Sequence, residues 1–281
     1  MPYRHETVTI YNHYSINTMP TNTDSTYFKV RSYIRNIVLN VLGTFSTPQP
    51  GIHILNGHRV QNETEPETFR VLLRELSKYV KFIRFEEAVK LITTQQQPLE
   101  PLVAFTFDDG FSECYDYLAP VIEEYGVNAC FFINPNYVEG DQKYIDNFNE
   151  HIVMTHHKQP MRWNQIKELS DRGFVIGAHT MDHYMINDDN EDILRYQINT
   201  CKSVIEERLG MPCQYFAFPY GKLTEANELS INIACETYEY VFSQSDYKHY
   251  FSFNGKVINR RHFEPFWPIQ HLKYFLSARK K

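Results

Sequence analysis

Three short segments carry residue types that do chemistry, and each follows an apolar run. In Phe105-Thr106-Phe107-Asp108-Asp109-Gly110 two carboxylates close a strand-like stretch. Desolvating adjacent charges is costly unless something there uses them. Neighbouring side chains on a strand point opposite ways, but at a strand-to-loop bend both reach one site. One then ligates a cation while the other handles a proton; a capping Asp-Asp-Gly turn is the simpler account of this segment alone. In Gly177-Ala178-His179-Thr180-Met181-Asp182-His183 the histidines stand four apart, so one turn brings both imidazoles to the same side. Two histidines and a carboxylate with an open position form a common catalytic zinc set. Two surface histidines explain that spacing equally well. The third segment, Tyr215-Phe216-Ala217-Phe218-Pro219-Tyr220-Gly221, runs into a Pro-Tyr-Gly turn that can aim a backbone N–H at an oxyanion.

The elements that must position these segments alternate along the chain. Strand signals fall at Gly51–Leu55, Leu102–Phe107, Ala129–Ile133, Phe174–Ala178, Gln214–Phe218 and Tyr238–Phe242. Between them lie helical patterns at Glu67–Tyr79, Phe85–Thr93, Cys114–Tyr125 and Trp163–Arg172. A further helix, capped by Asp189 and stopped by Gly210, carries Leu194, Ile198, Cys201, Ile205 and Leu209 as one stripe. Such alternation predicts an α/β fold, a parallel sheet or barrel wrapped by helices, with chemistry at the C-terminal strand ends. The stretch 134–160 has no clean period and reads as a lid or substrate loop. Ahead of Pro48-Gln49-Pro50-Gly51, residues 1–50 form an N-terminal extension to a catalytic domain over 51–281. Its first 24 residues are polar, and Ser25–Leu42 follows as a helix. There Val30, Ile34, Ile37, Val38 and Val41 share one face, with Lys29, Arg31 and Arg35 elsewhere. That face is expected to pack on the domain that follows; contact with an anionic membrane surface is the other reading.

Composition narrows the field. The 281 residues, 42% hydrophobic, can bury a proper core, which excludes a disordered chain. A net charge of −6 argues against nucleic-acid binding, which rests on phosphate neutralisation. No apolar run reaches the length of a membrane span. Five scattered cysteines with no C-x-x-C, and a start without an apolar leader region, lead us to expect a cytoplasmic protein. Of 12 histidines, His151, His156 and His157 are expected at the surface.

In this order, TFDDG, H-T-x-x-H and FAFPYG resemble the NodB-type polysaccharide deacetylases, carbohydrate esterase family 4. The resemblance runs from Gly51 to the region of Phe263. It includes Ile54-Leu55-Asn56-Gly57-His58-Arg59-Val60, and Glu206, Arg208, Leu209 and Gly210. It implies a distorted (β/α) barrel of parallel strands, a divalent metal with zinc as default, and hydrolysis of N- or O-acetyl groups on a polysaccharide, oligosaccharide or glycan precursor. By the family pattern Asp109, His179 and His183 are the metal ligands, Asp108 is the general base and the Tyr220 backbone N–H meets the oxyanion.

Two positions depart from the commonest pattern. Ala217 stands where an Arg is usual, and the FAFPYG form looks like the branch containing poly-N-acetylglucosamine deacetylases. There the base-orienting Arg comes from a later strand, which points to Arg260 with Arg261 as rival. The acid in that branch sits on the N-terminal strand, which points to His58, with His262 and His271 as rivals. An amidase acting on a small non-sugar amide and a non-catalytic carbohydrate-binding relative are the alternative functions on this scaffold.

Overall fold

Successive residues along each strand of this chain go to opposite faces, and that sorting builds the fold. In the computed structural model, which describes residues 22–58 and 65–281, ten strands form one sheet. They are Gly51–Gly57 (β1), Lys81–Phe82 (β2), Pro101–Phe107 (β3), Ala129–Ile133 (β4), Val175–Ala178 (β5), Tyr215–Ala217 (β6), Tyr240–Ser243 (β7), Phe251–Ser252 (β8), Val257–Asn259 (β9) and Arg261–His262 (β10). Leu55, Val103, Phe105, Phe131, Ile176, Phe216 and Val241 pack against the helices, including Phe69, Leu72 and Leu76 of helix Glu65–Leu76. Ile52, Ile54, Leu102, Ala104, Cys130, Phe132, Phe242 and Ile258 form the second core with Phe85, Ala88, Val89 and Ile92 of helix Phe85–Thr93. Each fully buried aliphatic or aromatic side chain contributes about 1.5–3 kcal/mol.

Strands β1, β3, β4, β5, β6, β7 and β9 pair in parallel in that order. The last chain segment then changes partner within a few residues: β9 pairs with β7, and β10 pairs with β1. The junction residue is Arg260, whose N–H donates to Ser243 O at 2.8 Å. That hand-over curls the sheet into the distorted barrel expected from the sequence, and it aligns the C-terminal ends of β1, β3, β5, β6 and β9 at one rim.

Some expectations need correction. Stretch 134–160 is not an open loop: it holds helices Pro135–Glu139 and Gln142–Asn147 and a wide turn at Phe148–Ile152. Its apolar residues Tyr137, Ile145 and Phe148 bury against Phe111 in a cluster of their own. Each piece is too short to show a period. The cap of the helix after β5 is Asn190, not Asp189; its side chain accepts from Asp192 N and Ile193 N.

The first helix runs Asn22–Phe45, and chain contacts divide the molecule within it, after Val38. Val30, Ile34, Ile37, Val38 and Val41 are exposed. In the second unit the helix end docks through Leu39, which is buried, and Gly43, where a Cβ would overlap the Gln270 backbone. Residues 1–21 of the extension, and Arg59 and Val60, lie outside the described residues. No helix among the described residues is long and apolar enough to cross a membrane.

Candidate active site

Along β1 and β3 the even row turns from apolar to polar as it nears the rim: Ile52, Ile54, Asn56 on one, Leu102, Ala104, Thr106, Asp108 on the other. Arg260 arrives from the junction of β9 and β10 and meets all the polar members. Its Nη1 donates to Asp108 Oδ1 (2.8 Å), Asn56 Oδ1 (2.8 Å) and Thr106 Oγ1 (3.1 Å), and its Nη2 to Asp108 Oδ2 (2.9 Å). Asn56 Nδ2 also donates to Asp108 Oδ2 at 2.9 Å. Arg260 and Asp108 are both buried. Burial alone would raise the Asp108 pKa, but the charge of Arg260 and its two hydrogen bonds hold it well below the usual carboxylate range. Arg261 does not reach this carboxylate; its guanidinium lies over the rings of Tyr247 (4.1 Å) and Phe275 (3.5 Å).

Asp109 follows with a left-handed φ of 72°, and Gly110 with 73°, so the chain turns sharply off the strand end. This turn brings Asp109 Oδ1 within 3.3 Å of His183 Nε2 and 3.7 Å of His179 Nε2. The histidine segment is no helical turn. Thr180 and His183 take left-handed φ values of 64° and 54°, and Tyr184 N–H donates to Thr180 Oγ1 at 2.9 Å. Asn134 donates to the His179 and Thr180 carbonyls. Asp182 ties the turn outward, accepting from Asn136 (2.7 Å), Tyr144 (2.6 Å) and Gln197 (2.8 Å). The helices of 134–160 therefore buttress the histidine turn, while Ile152, Val153 and Met154 wall the cavity.

These three side chains fit a divalent ion. His179 Nδ1 lies 2.8 Å from Ala217 O, which fixes that nitrogen as the donor and leaves Nε2 as the ligating lone pair. Burial lowers the pKa of both His179 and His183, which favours the neutral imidazoles that ligation requires. An ion about 2.0–2.1 Å from each donor sets tetrahedral donors about 3.3–3.4 Å apart, close to the spacing here.

A cavity of about 410 Å³ joins Asp108, Asp109, His179 and His183 to His58, Tyr220, Gln244, His262 and Glu264. Tyr220 sits at φ 62° in a turn closed by Gly221 N–H donating to Phe218 O at 3.1 Å. His58 Nδ1 lies 3.3 Å from Glu264 Oε1, and His262 Nε2 lies 3.5 Å from the same oxygen. Burial opposes protonation of His58, but Glu264, Asp109 and Asp108 outweigh it and raise its pKa to about 9. His262 goes the other way, to about 4, through burial and the neighbouring His58 charge. His271 is buried and is not part of the cavity wall. His151, His156 and His157 are exposed as expected. Sequence reasoning missed Asn56, Thr106 and Glu264. Asn56 and Thr106 had a signal, since each is a polar residue at the inward parity of an apolar strand.

The chain belongs to the polysaccharide deacetylase family, whose model matches residues 95–236, half of its length. It is 28% identical over 124 residues to the peptidoglycan-N-acetylglucosamine deacetylase of Bacillus cereus, covering 44% of this chain and 38% of that protein. The curated relatives it matches are longer, and the matches span between 38% and 51% of them. Among solved structures, IcaB from Ammonifex degensii superposes with a TM-score of 0.67 at 22% identity, covering 83% of this chain and all of that one. The Streptococcus pyogenes deacetylase PplD, solved with acetate, superposes with 0.61 at 18%, covering 82% and 99%. Both likenesses are of fold.

Proposed function

We propose that this protein hydrolyses N-acetyl groups on a glycan built from N-acetylglucosamine units, using zinc held by Asp109, His179 and His183. One observation carries the reading: this cluster opens into the same cavity as Asp108, whose carboxylate is kept ionised by Arg260 and Asn56. When bound, the ion supplies Lewis acidity for the acetyl carbonyl and makes water a better nucleophile. Asp108, oriented by Arg260, takes the proton of the attacking water. The Tyr220 backbone N–H donates to the oxyanion that develops on the acetyl carbon's oxygen. His58, with Nδ1 toward Glu264, gives a proton to the departing sugar nitrogen as the C–N bond breaks and acetate leaves. The opposite charge states of His58 and His262 favour His58 as that acid.

The sugar is suggested by the name of the Bacillus cereus relative. The poly-N-acetylglucosamine branch is supported by Arg260, since the residue reaching Asp108 comes from the junction of β9 and β10 while Ala217 occupies the usual Arg position. Acetate release from an N-acetylglucosamine oligomer, with zinc, tests the proposal. Asp108→Asn is expected to lose about 10²–10⁴-fold in kcat, the usual worth of a positioned base. Chelation should abolish the wild-type rate and zinc restore it. Equal release by the two proteins removes Asp108 from its role, and activity only on small non-sugar amides would reassign the substrate.

A further inference from the structure

His58, His262 and Glu264 form a second convergence of ligand-type side chains, separate in residues from the first and facing the same cavity. One donor atom from each lies within 4.8 Å of the others. Glu264 Oε1 stands 3.3 Å from His58 Nδ1 and 3.5 Å from His262 Nε2, against 3.3 and 3.7 Å for Asp109 Oδ1 and its two histidines. Both contacts of Glu264 are longer than the usual N–H···O bond, and its Oε2 is buried with no hydrogen-bond partner among the described residues. The two rings stand side by side, centroids 5.1 Å apart, with a single carboxylate between them. Two imidazoles, once His58 has given up its Nδ1 proton to the ion, and a carboxylate at tetrahedral-edge spacing are a donor set for a zinc-class ion.

We propose that His58, His262 and Glu264 bind a second divalent ion of the zinc class, more weakly than Asp109, His179 and His183 bind the first. The difference in affinity follows from exposure. The side chains of the second cluster are 25%, 37% and 17% exposed, those of the first 7% or less, so water competes for the second ion and its ligands are less firmly held. Occupying this site uses the His58 lone pair and displaces its Nδ1 proton. That proton passes to solvent, and on the deacetylase reading above the Nε2–H left on a neutral imidazole is too weak an acid for the departing nitrogen, so excess zinc inhibits the enzyme.

The full-length protein, stripped with a chelator and dialysed against increasing free zinc, gives the metal content per chain directly. Two equivalents are expected, the second at higher zinc than the first. His262→Ala should lose the second equivalent and keep the first, and the retained equivalent shows that the variant is folded. Asp109→Ala should lose the tight equivalent and keep the weak one. A wild type that stops at one equivalent, or a His262→Ala protein that still takes two, overturns the proposal. Acetate release followed over the same zinc range separates the two ideas. Activity that rises with the first equivalent and falls with the second supports both. Two equivalents bound with no acetate released at any zinc level supports the second site and removes the deacetylase reading.

Discussion

At Asp108 a carboxylate that burial alone would neutralise is held ionised by a guanidinium reaching it through two nitrogens. Removing one partner of such a pair leaves the other charge buried and uncompensated, at a cost of about 3–5 kcal/mol. Arg260→Ala should therefore lose stability on that scale in urea denaturation. Arg260→Lys, which keeps the charge but loses the two-pronged contact, should lose less stability and still depress kcat. If Arg260→Ala unfolds like wild type, the pair does not hold Asp108 as described. The sequence left Arg260 and Arg261 as rivals because they are adjacent and chemically identical. What separates them is strand parity at a junction where the chain changes partners. Arg260 faces a residue 152 positions away, while Arg261 faces two aromatic rings.

Strand ends were legible at the level of elements, and the way their loops turn was not. The spacing of His179 and His183 predicts convergence, and the rings do lie 5.0 Å apart. They converge through left-handed residues stapled by Asn134 and Asp182, not through a helical turn, and those staples come from elements with no period to read. Strand β5 must also sit close to β4 for His179 to reach the rim. Gly177 is where they touch: a Cβ there would stand 2.5 Å from two ring atoms of buried Phe132 and 3.1 Å from Tyr215 O. Gly177→Ala is thus expected to cost about 1–3 kcal/mol, the range for overpacked cores. It should also weaken zinc binding, because His179 lies two residues on. Thermal unfolding and a zinc titration on the same variant check both; unchanged zinc affinity would mean that β5 shifts without moving its end.

For the molecule as a whole, the buried imidazole of His53 contributes to the response to acid. His53 in β1 is buried, and its pKa falls to about 3 through burial and the Lys280 charge, against a contact with Gln49 O at 3.2 Å. The unfolded chain takes up this proton near its ordinary value of about 6.5, and the folded chain refuses it. Its contribution is therefore whole above about pH 6.5 and is lost progressively as pH falls toward 3. Between pH 6 and 4, His53→Gln should flatten the dependence of unfolding free energy on pH by up to about 1.4 kcal/mol per pH unit. A slope equal to wild type would place the acid sensitivity elsewhere.

The sequence by itself determined the alternating order of elements, the parallel sheet, and which strand ends carry reactive side chains. Those follow from periods and spacings within a few residues, which backbone geometry enforces locally. Only the tertiary structure decided that β10 leaves β9 to pair with β1, that Arg260 meets Asn56, Thr106 and Asp108, and that Glu264 stands between His58 and His262. Each of these joins residues about 150 to 200 apart in the chain or sits where strand pairing changes hands. Such contacts depend on the register of the curled sheet, a property of all the strands together and of no single segment.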